Sequence, residues 1–281
     1  MDMPCVGNNF FDDLMVVLVL YEMEIHEAPA VISLTTALQS MQQRATIFIY
    51  DNSLLEHDFK LNETWITIYK QDSSNSGVSK AYNEGFKCAK AQNKKWMLLA
   101  DQDTEFEKDF FLKIKEAVEN NPDRKPIVPI MMDKKGIVSP FHFHFGRGLR
   151  LKRISPGEHP LGQKKFINSG LIVSTTLFEK CGGYDERFPL DFSDLAFIQR
   201  LKKCQERFIV INAICEHNLS AQEKSFSKSK DRFKYFVNAS CLYGSIFGPS
   251  FFLSYNKFFR AIKLGFKFKS MEFLKMLIQN K

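Results

Sequence analysis

The chain has no long apolar run, no Cys-x-x-Cys pair, no internal repeat and no flexible linker. Each absence removes a class of protein. Its longest clean apolar run, residues 14–21, is far too short to cross a bilayer, which takes about 20 residues as a helix. That run follows Asp12 and Asp13 rather than a basic segment, so a secretory leader is not expected. Six scattered cysteines (Cys5, Cys88, Cys181, Cys204, Cys215, Cys241) argue against a zinc site and a disulfide scaffold, and fit a reducing cytoplasm. Acidic residues are almost missing from positions 249–281. There Glu272 stands alone against Lys257, Arg260, Lys263, Lys267, Lys269, Lys275 and Lys281, so this segment holds most of the net charge of +7. Because the basic residues gather in one terminal segment with no nucleic-acid-binding module, nucleic acid is not an expected partner. A hydrophobic content of 44% leaves a chain of this length able to bury a large core.

What is present is most informative at residues 96–103. Trp96-Met97-Leu98-Leu99-Ala100 is an apolar run of strand length, suited to burial on both faces of a sheet. It ends abruptly in Asp101-Gln102-Asp103. Two carboxylates there are expected at the C-terminal edge of the strand, where open α/β sheets place ligands. They suit Mg²⁺ or Mn²⁺ holding a phosphorylated substrate. A helix cap or a solvated loop is the plainer alternative.

Around this run, strands and helices alternate. The pattern predicts strands at 14–21, 45–50 and 65–69, and helices at 28–42, from about 79, and at about 107–120. Residues 122–165 are rich in Pro, Gly and basic residues and read as loops with one or two short strands. Phe141-His142-Phe143-His144-Phe145 alternates strictly, placing both histidines on one strand face, solvated or metal-binding. A buried pattern resumes at 166–173, a helix begins near Asp194, and a strand over 208–213 ends near His217.

Five separated motifs complete the reading. Asp51-Asn52-Ser53 follows the second strand and is good turn chemistry. Asn75-x-Gly77-x-x-x-Ala81-x-Asn83-x-Gly85 leads from a loop into a helix, with Gly77 permitting close backbone approach. The third is Asp101-Gln102-Asp103. The fourth joins Asn168-Ser169-Gly170 to Gly182-Gly183-Tyr184-Asp185-Glu186, then to Asp191-Phe192-Ser193-Asp194 with Arg200 six residues on. The fifth is Cys215-Glu216-His217-Asn218 after the last strand.

In order and spacing these resemble the inverting nucleotide-sugar glycosyltransferases of family 2, with the GT-A fold, most similar to rhamnosyltransferase-like members. The resemblance covers roughly residues 14–220. It implies an α/β fold with a Rossmann-like mixed central sheet flanked by helices. A nucleotide-sugar half at about 14–121 and an acceptor half at about 122–220 would be followed by a C-terminal helical extension at 221–281. It also implies roles. Asp51 accepts a hydrogen bond from the nucleotide base. Asn75, Gly77 and Asn83 lie beside the donor, and Asp101 sits near the ribose and metal-bound water. Asp103 ligates the divalent metal, with His217 approaching metal or diphosphate. Asp194 is the base that takes the acceptor hydroxyl proton, favoured in its ionised form by a helix N-terminus, and Asp191 is the next candidate. Gly170 and Arg200 belong to the acceptor-side block. The partners implied are a nucleoside-diphosphate sugar and a glycan or lipid-linked glycan, with rhamnose as the sugar suggested and cell-surface polysaccharide synthesis as the setting.

Two departures stand out. Ser193 occupies a position commonly acidic in the family, and Val237 replaces an arginine that can touch the diphosphate, leaving Arg232 or Lys234 to substitute. Two other functions compete. A haloacid-dehalogenase-type phosphatase also ends a strand in Asp-x-Asp, but favours Thr or Val where this chain has Glu105, and places the motif on an early strand. A non-catalytic subunit of a polysaccharide assembly complex would be marked by loss of Asp103 or Asp194, and both are present. The basic tail carries Phe251, Phe252, Phe258, Phe259, Phe266, Phe268 and Phe273. It suits either an anionic membrane surface at the inner face of the cell membrane or helices packing aromatic faces on the main domain.

Overall fold

A computed structural model describes residues 9–57, 60–217, 225–248 and 251–279. The expected boundary at residue 220 lies outside the described residues, as does Cys5. The chain opens with a short helix, α1 (Phe10–Asp13), whose N-cap Asn9 accepts from Phe11 N–H, and then the strand β1 (Leu14–Leu20). A 3-10 turn leads to α2 (Pro29–Ser40), which starts on proline, where no N–H is needed. There follow β2 (Ala45–Asp51), β3 (Trp65–Gln71), α3 (Val78–Ala91), β4 (Trp96–Asp101), β5 (Thr104–Glu105) and α4 (Phe110–Glu119).

The middle of the chain is richer in strands than its composition suggests. It forms β6 (Ile127–Asp133), β7 (Gly136–Ser139), β8 (Phe141–His144), β9 (Arg147–Arg150) and β10 (Gly157–Pro160). Left-handed glycines at 136 and 146 make the turns between β6 and β7 and between β8 and β9, and this turn chemistry is what reads as loop. β6 is masked in the sequence by Pro129, which cannot donate to a ladder. The structure tolerates it because the register against the last strand shifts between Val210 and Ile214, opposite Pro129. Residues 166–173 are not one strand. Asn168-Ser169-Gly170 turns, and only β11 (Ile172–Ser174) pairs before α5 (Thr175–Lys180) and α6 (Ser193–Leu201). The last strand is β12 (Arg207–His217), and three helices follow: α7 (Phe226–Phe247), α8 (Phe251–Phe268) and α9 (Glu272–Gln279).

The ten-stranded sheet runs β10-β12-β6-β11-β4-β1-β2-β3, with β5 added beside β12 and β7 beside β6. It is mixed, as expected: β3, β2, β1 and β4 are parallel, whereas β11 is antiparallel to both β4 and β6. β1 is buried along its whole length, so it carries no polar face. One apolar layer packs Phe10, Val31, Leu34, Phe110 and Ile114 beneath the sheet. The opposite layer packs Tyr82, Phe178, Tyr184 and Phe197 from α3, α5 and α6. Parallel register carries the ends of β1, β2 and β4 to one edge, and that edge positions the site.

α7 and α8 join the sheet domain through Phe188, Phe192, Leu195, Tyr243 and Leu253. A smaller core of Phe233, Val237, Ala261 and Phe273 ties the three C-terminal helices together. Tail phenylalanines therefore divide. Phe273 is fully buried, whereas Phe251, Phe258, Phe259 and Phe266 are exposed.

Candidate active site

β4 delivers Asp101 to the sheet edge, and β5 returns at once to pair with β12, setting Thr104 opposite His217. Gln102 holds the intervening loop to the end of β1, donating to Tyr21 O at 3.1 Å and accepting from Tyr21 N–H at 2.7 Å. Asp101 and Asp103 are both half-buried. The Tyr82 hydroxyl donates to Asp101 Oδ1 at 2.6 Å. His217 is buried, its Nδ1 3.6 Å from Asp103 Oδ1 and 3.0 Å from the Thr104 hydroxyl. Thr104 meets the Ser169 hydroxyl at 2.7 Å, and Asp101 N–H donates to the same Ser169 oxygen at 3.0 Å. A continuous hydrogen-bond chain thus orients the carboxylate loop and the histidine from behind. Gly170 fits there because it is left-handed and packs on Pro129, whose Cγ would lie 2.7 Å from an added Cβ.

Asp194 opens α6 just after Phe192, which takes a left-handed conformation at the N-cap. Its Oδ1 accepts from Leu195 N–H at 2.7 Å. Burial pushes the Asp194 carboxyl up to about 6 despite that bond, and the charges of Asp191 and Asp101 add to the rise. Desolvation thus outweighs the helix start that favours its ionised form. The carboxyl is still mostly ionised at neutral pH, and a base poised there is well matched to proton transfer. Ser193 accepts from Asn168 Nδ2 at 2.9 Å, and Asn168 in turn accepts from the Tyr184 hydroxyl at 2.9 Å. That is what serine does at the position where an acidic residue is common.

Several expected donor-side residues are tied elsewhere. Asn83 donates to Tyr184 O and Glu186 Oε1 and accepts from Tyr184 N–H, so its hydrogen-bonding groups clamp α3 to residues 184–186. Gly77 is needed for its contact with Pro189, whose carbonyl oxygen would lie 2.2 Å from an added Cβ. Asn75 is exposed in the turn before α3 and is left-handed. Asp51 is fully buried: Oδ1 accepts from Ser53 N–H at 2.9 Å, and Oδ2 meets Tyr69 Oη at 2.8 Å and His57 Nδ1 at 2.7 Å. Burial opposes its ionisation, but bonds from Ser53, His57 and Tyr69 win and hold it below the usual range. His57 is correspondingly raised by Asp51.

Arg200 Nη1 donates to Gly182 O and Gly183 O, and its Nη2 pairs with Asp185 at 3.3 Å, bracing that turn. Arg232 pairs with Asp191 at 3.1 Å, just before α6. Burial raises Asp191, against the lowering by Arg232 and Arg260. Sequence reasoning missed the supporting hydroxyls of Tyr82, Thr104 and Ser169. The paired histidines, His142 and His144, lie with rings 5.8 Å apart on β8. No group of three or more His, Cys, Asp or Glu is placed to hold a metal ion by itself among the described residues. Asp103, His217 and Asp101 nevertheless offer the right donor chemistry for Mg²⁺ or Mn²⁺, ions that commonly take one or two carboxylates and fill the remaining positions from substrate phosphates.

This mixed sheet, with a carboxylate pair at one strand end and a third carboxylate near a helix start, has the GT-A fold. Residues 38–174 match the family model of glycosyl transferase family 2. The S. aureus protein TarS shares the fold, with a TM-score of 0.53 at 16% identity over 82% of this chain and 39% of that one. A shorter TarS structure, residues 1–349 in complex with UDP, gives 0.53 at 16% identity, covering 82% of this chain and 64% of that one. The dTDP-rhamnosyl transferase RfbF of Shigella flexneri is 25% identical over 194 residues, 67% of this chain and 62% of that relative. The match therefore spans less than two thirds of that relative's length. The chain is similar to family 2 glycosyltransferases over residues 38–174 and to a rhamnosyltransferase in sequence.

Proposed function

We propose that the chain transfers a sugar from a nucleoside-diphosphate donor to a glycan hydroxyl with inversion, within cell-surface polysaccharide synthesis. The observation that carries this is Asp194 lying close enough to the Asp101/Asp103 strand end for the Asp101 charge to add to the burial that pushes its carboxyl up to about 6. Asp194 takes the acceptor hydroxyl proton as that oxygen bonds to the anomeric carbon and the nucleoside diphosphate leaves from the opposite face. One side-chain base suffices for a single displacement. Asp103, with His217 beside it and Asp101 towards the ribose, would hold Mg²⁺ or Mn²⁺, which when bound neutralises the diphosphate and the charge on the leaving group. A dTDP-rhamnosyl transferase among its relatives and UDP bound to a structural neighbour support a dTDP or UDP donor.

The C-terminal helices support attachment to an anionic bilayer on the cytoplasmic side. α8 exposes Phe251, Phe252, Tyr255, Phe258, Phe259 and Phe266 along with Lys263 and Lys267. No helix among the described residues is long and apolar enough to cross a membrane. Surface attachment is the form that an amphipathic basic helix suits.

The test is thermal shift with UDP-, GDP- and dTDP-sugars, with and without Mn²⁺. A ligand at 100 times its Kd adds about 2.7 kcal/mol, so one nucleotide class should raise Tm clearly and only with metal. No shift with any of them would overturn the reading.

A further inference from the structure

A cavity of about 400 Å³ lies where the β8–β9 hairpin, the start of α6 and helices α7 and α8 meet. Its floor is Asp191 with Phe192 and Leu195, so it opens beside the helix start that carries Asp194. Three cations line it, Arg147, Arg260 and Lys263, against the single carboxylate of Asp191. That carboxylate is already paired with Arg232, and basic side chains outnumber acidic ones in the lining. The Arg260 guanidinium lies 4.2 Å over the Phe236 ring, which fixes its position. Asp191 Oδ2 is buried and has no hydrogen-bond partner among the described residues.

Guanidinium forks and an ammonium bind phosphate oxygens, the fork in a bidentate manner. Ring faces and an unpartnered carboxylate oxygen suit a sugar, whose C–H face lies on aromatics and whose hydroxyls donate. Both sets of features share one cavity next to the base. We infer that this cavity binds a phosphate ester carried by the acceptor, with the anion among Arg147, Arg260 and Lys263 and an adjoining sugar hydroxyl donating to Asp191. This rests on the transferase reading above, and it assigns to the acceptor a charged group that the donor site does not explain.

The experiment titrates octyl phosphate, inorganic pyrophosphate and neutral octyl glucoside into the full chain, first alone and then saturated with Mn²⁺ and dTDP or UDP. Both phosphates should bind, and the glucoside should bind far more weakly. Loss of one charge-assisted contact should lower phosphate affinity about tenfold, read in Arg147→Gln and Lys263→Gln, whose side chains are exposed, and again in Arg260→Gln. Octyl phosphate binding more tightly than pyrophosphate assigns a lipid-linked acceptor, and equal binding assigns a soluble phosphate ester. Either supports the cavity. No phosphate binding by the wild type, or binding unchanged in the Arg147→Gln/Lys263→Gln double variant, overturns it. Phosphate binding that responds to these variants while neither nucleotide binds would leave the cavity standing and remove the donor reading alone.

Discussion

The sheet domain and the C-terminal helices are both rich in apolar residues, yet they use them in opposite ways. β1 and most of β4 bury every side chain, because a strand covered on both faces has nowhere else to put them. α8 buries only Leu253 and Ala261 fully, while most of its phenylalanines face outward among lysines. The same composition therefore serves as core in one region and as surface in the other. Period decides which: a continuous run closes a sheet, and a helical stripe leaves one face without a partner. The site's aspartates lie in the first region, and Asp191 paired with Arg232 marks where the two regions meet.

The sharpest way to break this division is at Asp194. Asp194→Asn keeps shape and removes basicity, so transfer should fall by about 10²–10⁴-fold in kcat while nucleotide affinity stays near normal. Steady-state kinetics with the donor identified by thermal shift measures it. Near-normal turnover would move the base to Asp191.

Next in size is the split among tail phenylalanines. Phe273→Ala should cost about 3–5 kcal/mol in chemical denaturation, because Phe273 is fully buried against Phe233 and Phe226. Phe266→Ala, at a side chain 83% exposed, should stay within about 0.5 kcal/mol. Equal costs would mean that the tail is core throughout.

Vesicle binding sharpens the same contrast. Each basic residue near an anionic surface adds about 1 kcal/mol, and salt should weaken the attachment. Co-sedimentation with anionic but not neutral vesicles is expected, reduced by Lys263→Glu and Lys267→Glu. Indifference to anionic vesicles at low salt would remove the membrane role.

The smallest effect is on stability against pH. Asp194 is raised from its ordinary 3.8 to about 6 in the folded chain. Between those values the native state holds the proton longer than the unfolded one, so folding stability drains away as pH rises through that window. Asp194→Asn lacks this loss. Its Tm advantage over wild type should widen from pH 4 to pH 7 and then level off.

Much of the sheet domain was legible in the sequence because it is local. The run before Asp101 fixes a buried strand, and the polar break after it fixes an edge. The helix beginning at Asp194 and the order of β1 to β4 follow from the same periodicities. What escaped was set by distant partners. Ser169 reaches Thr104, and Thr104 reaches His217 across 113 positions; no local pattern encodes such a meeting. Asn83 has the spacing of a donor contact but is claimed by Tyr184 and Glu186. β6 was hidden by Pro129, acceptable only because the neighbouring strand shifts register. Which tail phenylalanines are buried depended on how three helices cross, which composition cannot reveal.

The central claim is that the strand end at Asp101 and Asp103 binds a metal-bridged nucleotide. Calorimetric titration of the wild-type chain with dTDP and UDP, in Mn²⁺ and then in EDTA, tests it most directly, with Asp103→Ala alongside. The account predicts binding in Mn²⁺ that drops at least about tenfold with EDTA and with Asp103→Ala, as loss of a ligand or its support does at metal sites. Equal affinity with and without metal, or an Asp103→Ala chain that binds as the wild type does, would contradict it.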